Sequence, residues 1–384
     1  MKKKHILVNI GLFLFVALLC LVIFEVVSHF FFTTCVTYRN CPKAQYSVET
    51  IEYNMDVNLN SEGFRDKEFS AAPEDSIAII GDSFVFGWGV DEQETFVGLL
   101  EKKFSRDDDR DDNRVLNLGI EGTGLEHYVQ RLDEYGGNAD TVVLVFFTIN
   151  DIIPEEQEKG LLNVVNYLCS SFNSCTLAHK MMYLLRNNNI GHNGRANPLA
   201  NKDISKVNVD PELLNLALEW KISPYTVQAG IELPDLNQHY LSVLQNFDAV
   251  HLNKELLEQF IETTQHHEQR LVVVLLPPNF LVSDEYADTL SKLGHSQTVF
   301  NDLTCDTKLH SSLKEFLKTY DVEIIDLQED MCDSGAAGQF YYEIDGHLTP
   351  KGNEFVADVI YEQLLMQKTT SGRNDTAEAS LLCS

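Results

Sequence analysis

Basic side chains are scarce: 29 lysines and arginines stand against 58 aspartates and glutamates in 384 residues, a formal charge of -29. Proteins that bind nucleic acid rely on lysine and arginine to neutralise phosphates, so no nucleic-acid partner is expected. No C-x-x-C pair occurs among the 8 cysteines, which weakens a zinc reading. The acidic run over 105–113 lacks what a calcium loop requires, because Asp112 stands where the loop needs glycine and Leu118 where it needs a bidentate glutamate. Gln265-His266-His267-Glu268 lacks helical ligand spacing: adjacent histidines leave a helix on different sides, and positive side chains suit a helix C-terminus. Neither a metal nor a cofactor is expected.

Long apolar runs are also missing, with one exception over residues 6–24, interrupted by Asn9. A helix needs about 20 such residues to cross a bilayer. A cleaved signal peptide is the rival, but its apolar region is usually about 7 to 15 residues and ends in small residues. Here the run is longer and meets Glu25 and His29, which predicts an uncleaved anchor over 6–27. Leu18-Leu19 before Cys20 do not form the small-residue site of a lipoprotein. Lys2, Lys3 and Lys4 predict a cytoplasmic N-terminus over 1–5 and an extracytoplasmic remainder, periplasmic if the source is bacterial. In that compartment disulfides persist. Spacing suggests Cys35 with Cys41, Cys169 with Cys175 and Cys305 with Cys332, leaving Cys383 over; sequence alone does not fix connectivity.

Residues 28–57 show no clear period and read as a membrane-proximal linker or a small cap. Short apolar strands without polar alternation follow at 77–80, 114–117, 141–147, 270–276 and 322–327. Helical patterns lie among them at 92–104, 124–134, 253–266, 311–319 and 352–367, the last with Thr349 as N-cap and Pro350 behind it. Strands buried on both faces and alternating with helices predict an α/β fold, a doubly wound five-stranded parallel sheet spanning 58–367. The alternation breaks over 152–241, where helical stretches at 167–185 and 211–220 flank an Asn- and Gly-rich segment. An inserted helical subdomain, either a wall or lid of the site or a peripheral packing element, is expected there. A polar, disordered tail is expected over 368–384.

Ile79-Ile80-Gly81-Asp82-Ser83-Phe84 closes the first sheet strand, with Gly81 expected to end it through its backbone freedom. Ser83 then lands at the sheet edge where open parallel sheets bind ligands. Gly122 follows the second strand, Asn150 the third, and Asp345 with His347 lie beyond the last, so all should emerge at that edge. Serine is a poor nucleophile at its own pKa and needs a base, itself oriented by a further group. His347 can be that base, and Asp345 can orient it and stabilise its charge. Phe84, Phe86 and Trp88 could line an acyl pocket, but core packing is the favoured reading of aromatics at this spacing. No Gly-x-Ser-x-Gly elbow is present, since Val85 occupies its last position, which disfavours the α/β-hydrolase fold.

Four stretches in this order, Gly81-Asp82-Ser83, Asn117-Leu118-Gly119-Ile120-Glu121-Gly122, Thr148-Ile149-Asn150-Asp151 and Asp345-Gly346-His347-Leu348-Thr349-Pro350, resemble the SGNH (GDSL-type) hydrolase superfamily. The resemblance implies a flavodoxin-like sheet and a serine esterase with Ser83, Asp345 and His347 as catalytic residues. It also implies an oxyanion hole built from the backbone N–H groups of Ser83 and Gly122 and the amide of Asn150. Gly63-Phe64-Arg65-Asp66 is similar to a segment preceding the first strand in membrane-anchored members. Many members space the last pair as Asp-x-x-His, whereas here Ile344 stands three before His347 and the close carboxylates are Asp345 and Glu343. The Asp-x-His spacing resembles that of relatives acting on polysaccharide O-acetyl groups. The implied partner is an ester of a carbohydrate or lipid. A glycan O-acyltransferase and a catalytically silent, membrane-anchored binding protein remain the alternatives.

Overall fold

The computed structural model describes residues 42–69, 72–74, 76–107, 115–147, 151, 197–199, 202, 207–232, 234, 251–282, 284–295, 308–320, 322–334 and 336–381, with isolated positions between 16 and 24. It starts with a hairpin, the small cap and not the linker of the two readings of this stretch. Strands β1 (Gln45–Glu49) and β2 (Asn54–Asn58) pair antiparallel with Glu49 opposite Asn54. In β2 the side chains alternate, Met55 and Val57 buried and Asn54, Asp56 and Asn58 exposed. A two-stranded hairpin is marginal by itself in water. This one closes over Phe86 and Trp88, sharing with them a cluster that includes Tyr53, Met55 and Val57. The expected domain start at residue 58 therefore moves back to the hairpin.

Five parallel strands follow: β3 (Ile77–Gly81), β4 (Val115–Gly119), β5 (Thr141–Phe147), β6 (Arg270–Leu276) and β7 (Glu323–Asp326), in the order β4-β3-β5-β6-β7. The chain starts in β3, adds β4 on one side and continues through β5 on the other, so the order reverses beside β3. In doubly wound sheets that reversal opens a crevice at the C-terminal strand ends. Ile79, Ile80, Val143, Leu144, Val273 and Val274 are buried without alternation, as a sheet covered on both faces requires.

The helices are α1 (Ser83–Phe86), α2 (Phe96–Asp107), α3 (Leu125–Arg131), α4 (Pro211–Leu218), α5 (Pro224–Glu232), α6 (His251–His266), α7 (Asn279–Val282), α8 (Asp284–Lys292), α9 (Lys308–Lys318), α10 (Leu327–Asp333) and α11 (Pro350–Leu381). The pattern expected from Glu92 divides: Glu92–Glu94 forms a 3-10 turn, and Thr95, whose hydroxyl accepts from the Gly98 N–H at 3.0 Å, restarts the chain as α2. Thr349 caps α11 by accepting from the Gly352 N–H at 3.1 Å. That helix runs to Leu381, past the point where a disordered tail is expected; no proline interrupts the stretch.

Within the expected insertion, α4 is capped by Asp210, whose carboxylate accepts from the Glu212 and Leu213 N–H groups. Ala217, Ile222 and Val227 pack with Leu199 and Leu293, and Ile344 leans on the same cluster. The Ile51 N–H at the hairpin tip donates to the Lys221 carbonyl at 2.8 Å. This part of the insertion thus braces the hairpin and the turn that carries Asp345. The helix expected over 167–185 lies outside the described residues.

Among the described residues no helix is long and apolar enough to cross a membrane. The anchor expected over 6–27 lies largely outside them; its described positions Val16, Leu19, Cys20, Ile23 and Phe24 are helical and exposed. Cys332 is disulfide-bonded, and the other cysteines of the expected pairs lie outside the described residues.

Candidate active site

Ser83 owes its position to a close approach between α1 and the sheet. A Cβ added to Gly81 would collide with the Val85 side chain, and one added to Gly119 with the backbone of Val85 and Phe86. Gly81 has no left-handed φ, so its expected role as a strand breaker gives way to one of clearance. The Asp82 carboxylate caps α1 by accepting from the Phe84 N–H at 2.9 Å. Gly87, at φ 80°, ends it in the left-handed conformation. Behind this turn the buried Arg65 guanidinium donates to the carbonyls of Gly87, Val90 and Asp56 at 2.7 to 2.8 Å. The Gly-Phe-Arg-Asp segment is thus a scaffold for the serine turn.

His347 and Asp345 arrive on a tight turn closed by the bridge between Tyr341 and Leu348. Gly346 takes a left-handed φ of 84° between them, and the Tyr342 N–H donates to the His347 carbonyl at 2.8 Å. The turn sits on buried Tyr341, whose hydroxyl donates to the Pro277 carbonyl beyond β6 at 2.6 Å. Two residues separated by 264 positions then meet: His347 Nε2 lies 2.8 Å from Ser83 Oγ. On the other ring face of the relay, Nδ1 lies 2.5 Å from Asp345 Oδ1. With Nδ1–H donated to the carboxylate, Nε2 is the lone-pair nitrogen and the serine hydroxyl donates to it.

The electrostatics follow from burial set against partners. Burial works against the charged form of His347, but the Asp345 charge and hydrogen bond, with Asp82 and Glu121 nearby, outweigh it and leave the imidazole above its ordinary pKa. Burial likewise pushes Asp345 up, and the His347 charge with hydrogen bonds from His347, Tyr53 and Trp88 brings it below the usual carboxylate range. Each member of the pair favours the charged state of the other.

The donor side of the site is partly described. Gly122 has a φ of 65°, and among the described residues a Cβ there would meet nothing within 4 Å. Among the described residues neither its N–H nor that of Ser83 donates to another group. The turn is held by Arg131, whose guanidinium donates to the carbonyls of Gly81 and Leu118 at 2.9 and 2.5 Å and to the Thr123 hydroxyl at 2.6 Å. Burial lowers the Arg131 pKa to about 10, against the pull of Tyr128, Asp82 and Asp151, so it stays charged at neutral pH. Asn150 lies outside the described residues. Beside it, Asp151 is buried and closes on the end of β5, its carboxylate accepting from the Phe147 N–H at 2.9 Å. Burial first and the Asp82 charge second push the Asp151 carboxyl well above its usual range.

Phe84, Phe86 and Trp88 are buried, as core aromatics; the Phe84 ring lies tilted against those of Phe147 and His347 with centroids 4.6 and 4.9 Å away. His267 lies 3.5 Å from Asp133 at the end of α6, away from these residues in the fold. Sequence reading missed Glu52, Tyr53 and Arg131, and it gave Arg65 only as part of the Gly-Phe-Arg-Asp segment. Tyr53 donates to Asp345 Oδ2 at 2.8 Å, and the Glu52 carboxylate accepts from the Ile344 and Asp345 N–H groups at 2.8 and 2.9 Å. The available signal was the alternation in β2, a single five-residue strand.

No family model matches the chain, and no curated protein matches it. Among solved structures it is similar to the lipase/acylhydrolase from Enterococcus faecalis, at 15% identity and a TM-score of 0.38 over 75% of this chain and 94% of that one. It is similar also to an acetyl xylan esterase, at 11% identity and 0.38 over 75% and 98%, and to a psychrotrophic esterase from Pseudoalteromonas sp., at 12% and 0.36 over 77% and 100%. At such TM-scores these likenesses add no weight to fold or activity, which rest on strand order and side-chain geometry.

Proposed function

We propose that this chain is a serine ester hydrolase in which Ser83 is the nucleophile, His347 the general base and acid, and Asp345 the residue that orients His347. The observation carrying the reading is the continuous contact from Ser83 Oγ to His347 Nε2 at 2.8 Å and from His347 Nδ1 to Asp345 Oδ1 at 2.5 Å. The serine proton passes to Nε2 as Oγ bonds to the ester carbonyl carbon. The tetrahedral intermediate collapses when Nε2 returns that proton to the departing alcohol, and water repeats the sequence to free the acid and Ser83. Negative charge on the former carbonyl oxygen is met by the N–H groups of Ser83 and Gly122 and, following the family resemblance, by Asn150. One well-placed donor of this kind contributes about 2.7 to 4 kcal/mol to the transition state.

In this reading the ester is an O-acyl group of an envelope polysaccharide or a lipid, met outside the cytoplasm by a domain tethered through residues 6–27. The Asp-x-His spacing and the N-terminal apolar run support that placement. Ser83→Ala should lower hydrolysis of an aryl acetate by about a thousandfold or more while the unfolding midpoint stays put. Retained turnover would reject Ser83 as the nucleophile, and a native chain that takes up no serine-directed fluorophosphonate would favour the silent binding protein. Appearance of an acylated glycan when an acceptor is supplied would favour acyl transfer.

A further inference from the structure

We propose that Tyr53, delivered by the N-terminal hairpin, is a positioning residue for this reaction: its hydroxyl fixes the second oxygen of Asp345 and thereby the plane of the carboxylate that orients His347. The inference rests on the ester-hydrolase reading of the same site. A carboxylate is loosely held about its last torsion, whose preference is broad. One bond to an imidazole leaves it free to pivot. Here Asp345 Oδ1 faces His347 Nδ1, and Oδ2 receives the Tyr53 hydroxyl at 2.8 Å.

The direction of that second bond is dictated by chemistry. An indole N–H can only donate. Trp88 Nε1 lies 2.9 Å from the Tyr53 oxygen, so the phenol accepts from Trp88 and its own proton points at Asp345. Both aromatic residues are buried, and the Tyr53 ring packs on Tyr342 with centroids 5.0 Å apart. The neighbouring residue fixes the main chain of the same turn, since Glu52 Oε1 accepts from Ile344 N–H at 2.8 Å and Oε2 from Asp345 N–H at 2.9 Å. Two successive residues of the segment between β1 and β2 therefore hold the carboxylate and the backbone that bears it. An acid placed only two residues before its histidine receives its bracing from outside its own turn.

Replacing Tyr53 by phenylalanine keeps the ring and removes the bond. The charges facing His347 are Asp345 on its own turn, Asp82 before α1 and Glu121 after β4, and none of them changes. With its charge less dispersed, Asp345 holds the imidazolium more firmly. For the full chain acting on an aryl acetate, Tyr53→Phe should lower kcat by about tenfold or more, leave KM within about twofold, and move the acid limb of kcat/KM to higher pH. Trp88→Phe, which frees the phenol to rotate and also removes the indole's own bond to Asp345, should move the same limb in the same direction.

Loss of activity with an unmoved acid limb would assign Tyr53 a merely structural role and overturn the inference, as would unchanged kcat in a folded variant. If Tyr53→Phe fails to fold, an unmoved limb in folded Trp88→Phe overturns the inference, since both bonds to Asp345 would then be lost without effect. Fluorophosphonate labelling of the native chain separates the two layers: an unlabelled native Ser83 removes the enzyme reading and this inference together. A labelled one beside an unaltered Tyr53→Phe removes only the inference.

Discussion

In the proposed hydrolase His347 must be neutral at Nε2 to take the Ser83 proton, so its acidity sets the lower pH limit of that activity. Burial disfavours the imidazolium, but the Asp345 charge 2.5 Å away outweighs it and leaves the pKa above the ordinary 6.5. A raised pKa means the active, neutral form is lost earlier as pH falls. kcat/KM should therefore be level above the transition and fall about tenfold per unit below a midpoint higher than 6.5, the ordinary value. Asp345→Asn should bring that midpoint down and cut kcat by about ten-thousandfold: with its oxygen held by the Tyr53 hydroxyl, the amide turns its NH2 toward Nδ1, and the proton is left on Nε2, the wrong tautomer. A native midpoint at or below the ordinary value contradicts the assignment. The residue scale is also where a sequence is most easily misread. Gly81 reads as a strand breaker, but its surroundings show it is needed for clearance beneath Val85.

Four-residue α1 cannot hold itself in place, having too few internal hydrogen bonds to offset nucleation. It is held by the sheet below, by the Asp82 cap and by Arg65 behind Gly87. Gly119 and Gly122 make different contributions to this arrangement. A Cβ at position 119 runs into the backbone of α1, whereas one at position 122, on a left-handed turn, meets nothing among the described residues. Gly119→Ala should therefore lower stability by about 1 to 3 kcal/mol in a urea titration and displace Ser83, lowering kcat. Gly122→Ala should cost about 1 kcal/mol through backbone strain alone. Equal losses for the two would show that α1 does not press on β4 as described. The element scale is also where Arg131 acts, tying the ends of β3 and β4 to the Gly122 turn with one guanidinium.

At the scale of the whole molecule the site is assembled from widely separated parts: the hairpin, the edge of the sheet, the turn before α11 and the insertion that leans on Ile344. The hairpin buries Phe86 and Trp88 and reaches Asp345, so it belongs to the folded unit. A chain lacking residues 1–41 should keep its aryl acetate hydrolysis. One lacking 1–58 should lose about tenfold or more and bind a hydrophobic dye, because the cluster beneath the hairpin is opened. Unchanged kinetics after the longer truncation would return the hairpin to the status of a linker.

How much of this could be read before folding depended on the range of the interaction. Burial on both faces shows in local composition, so the five sheet strands stand in the sequence with their bounds nearly correct, as does the cap Thr349. The types and order of Ser83, Gly122 and the Asp345–His347 pair also pointed to one edge, because parallel strands separated by helices deliver their C-terminal ends to the same side. What supports those residues left no such trace. Tyr53 and Asp345 are 292 positions apart, and Glu52 meets a backbone N–H, a partner that no side-chain pattern reveals. The linear order of residues determined a sheet and a line of reactive groups along it. Only the tertiary contacts decided which distant hydroxyl and carboxylate hold the acid in place, since a hydrogen bond depends on distance in space and sequence separation does not constrain it.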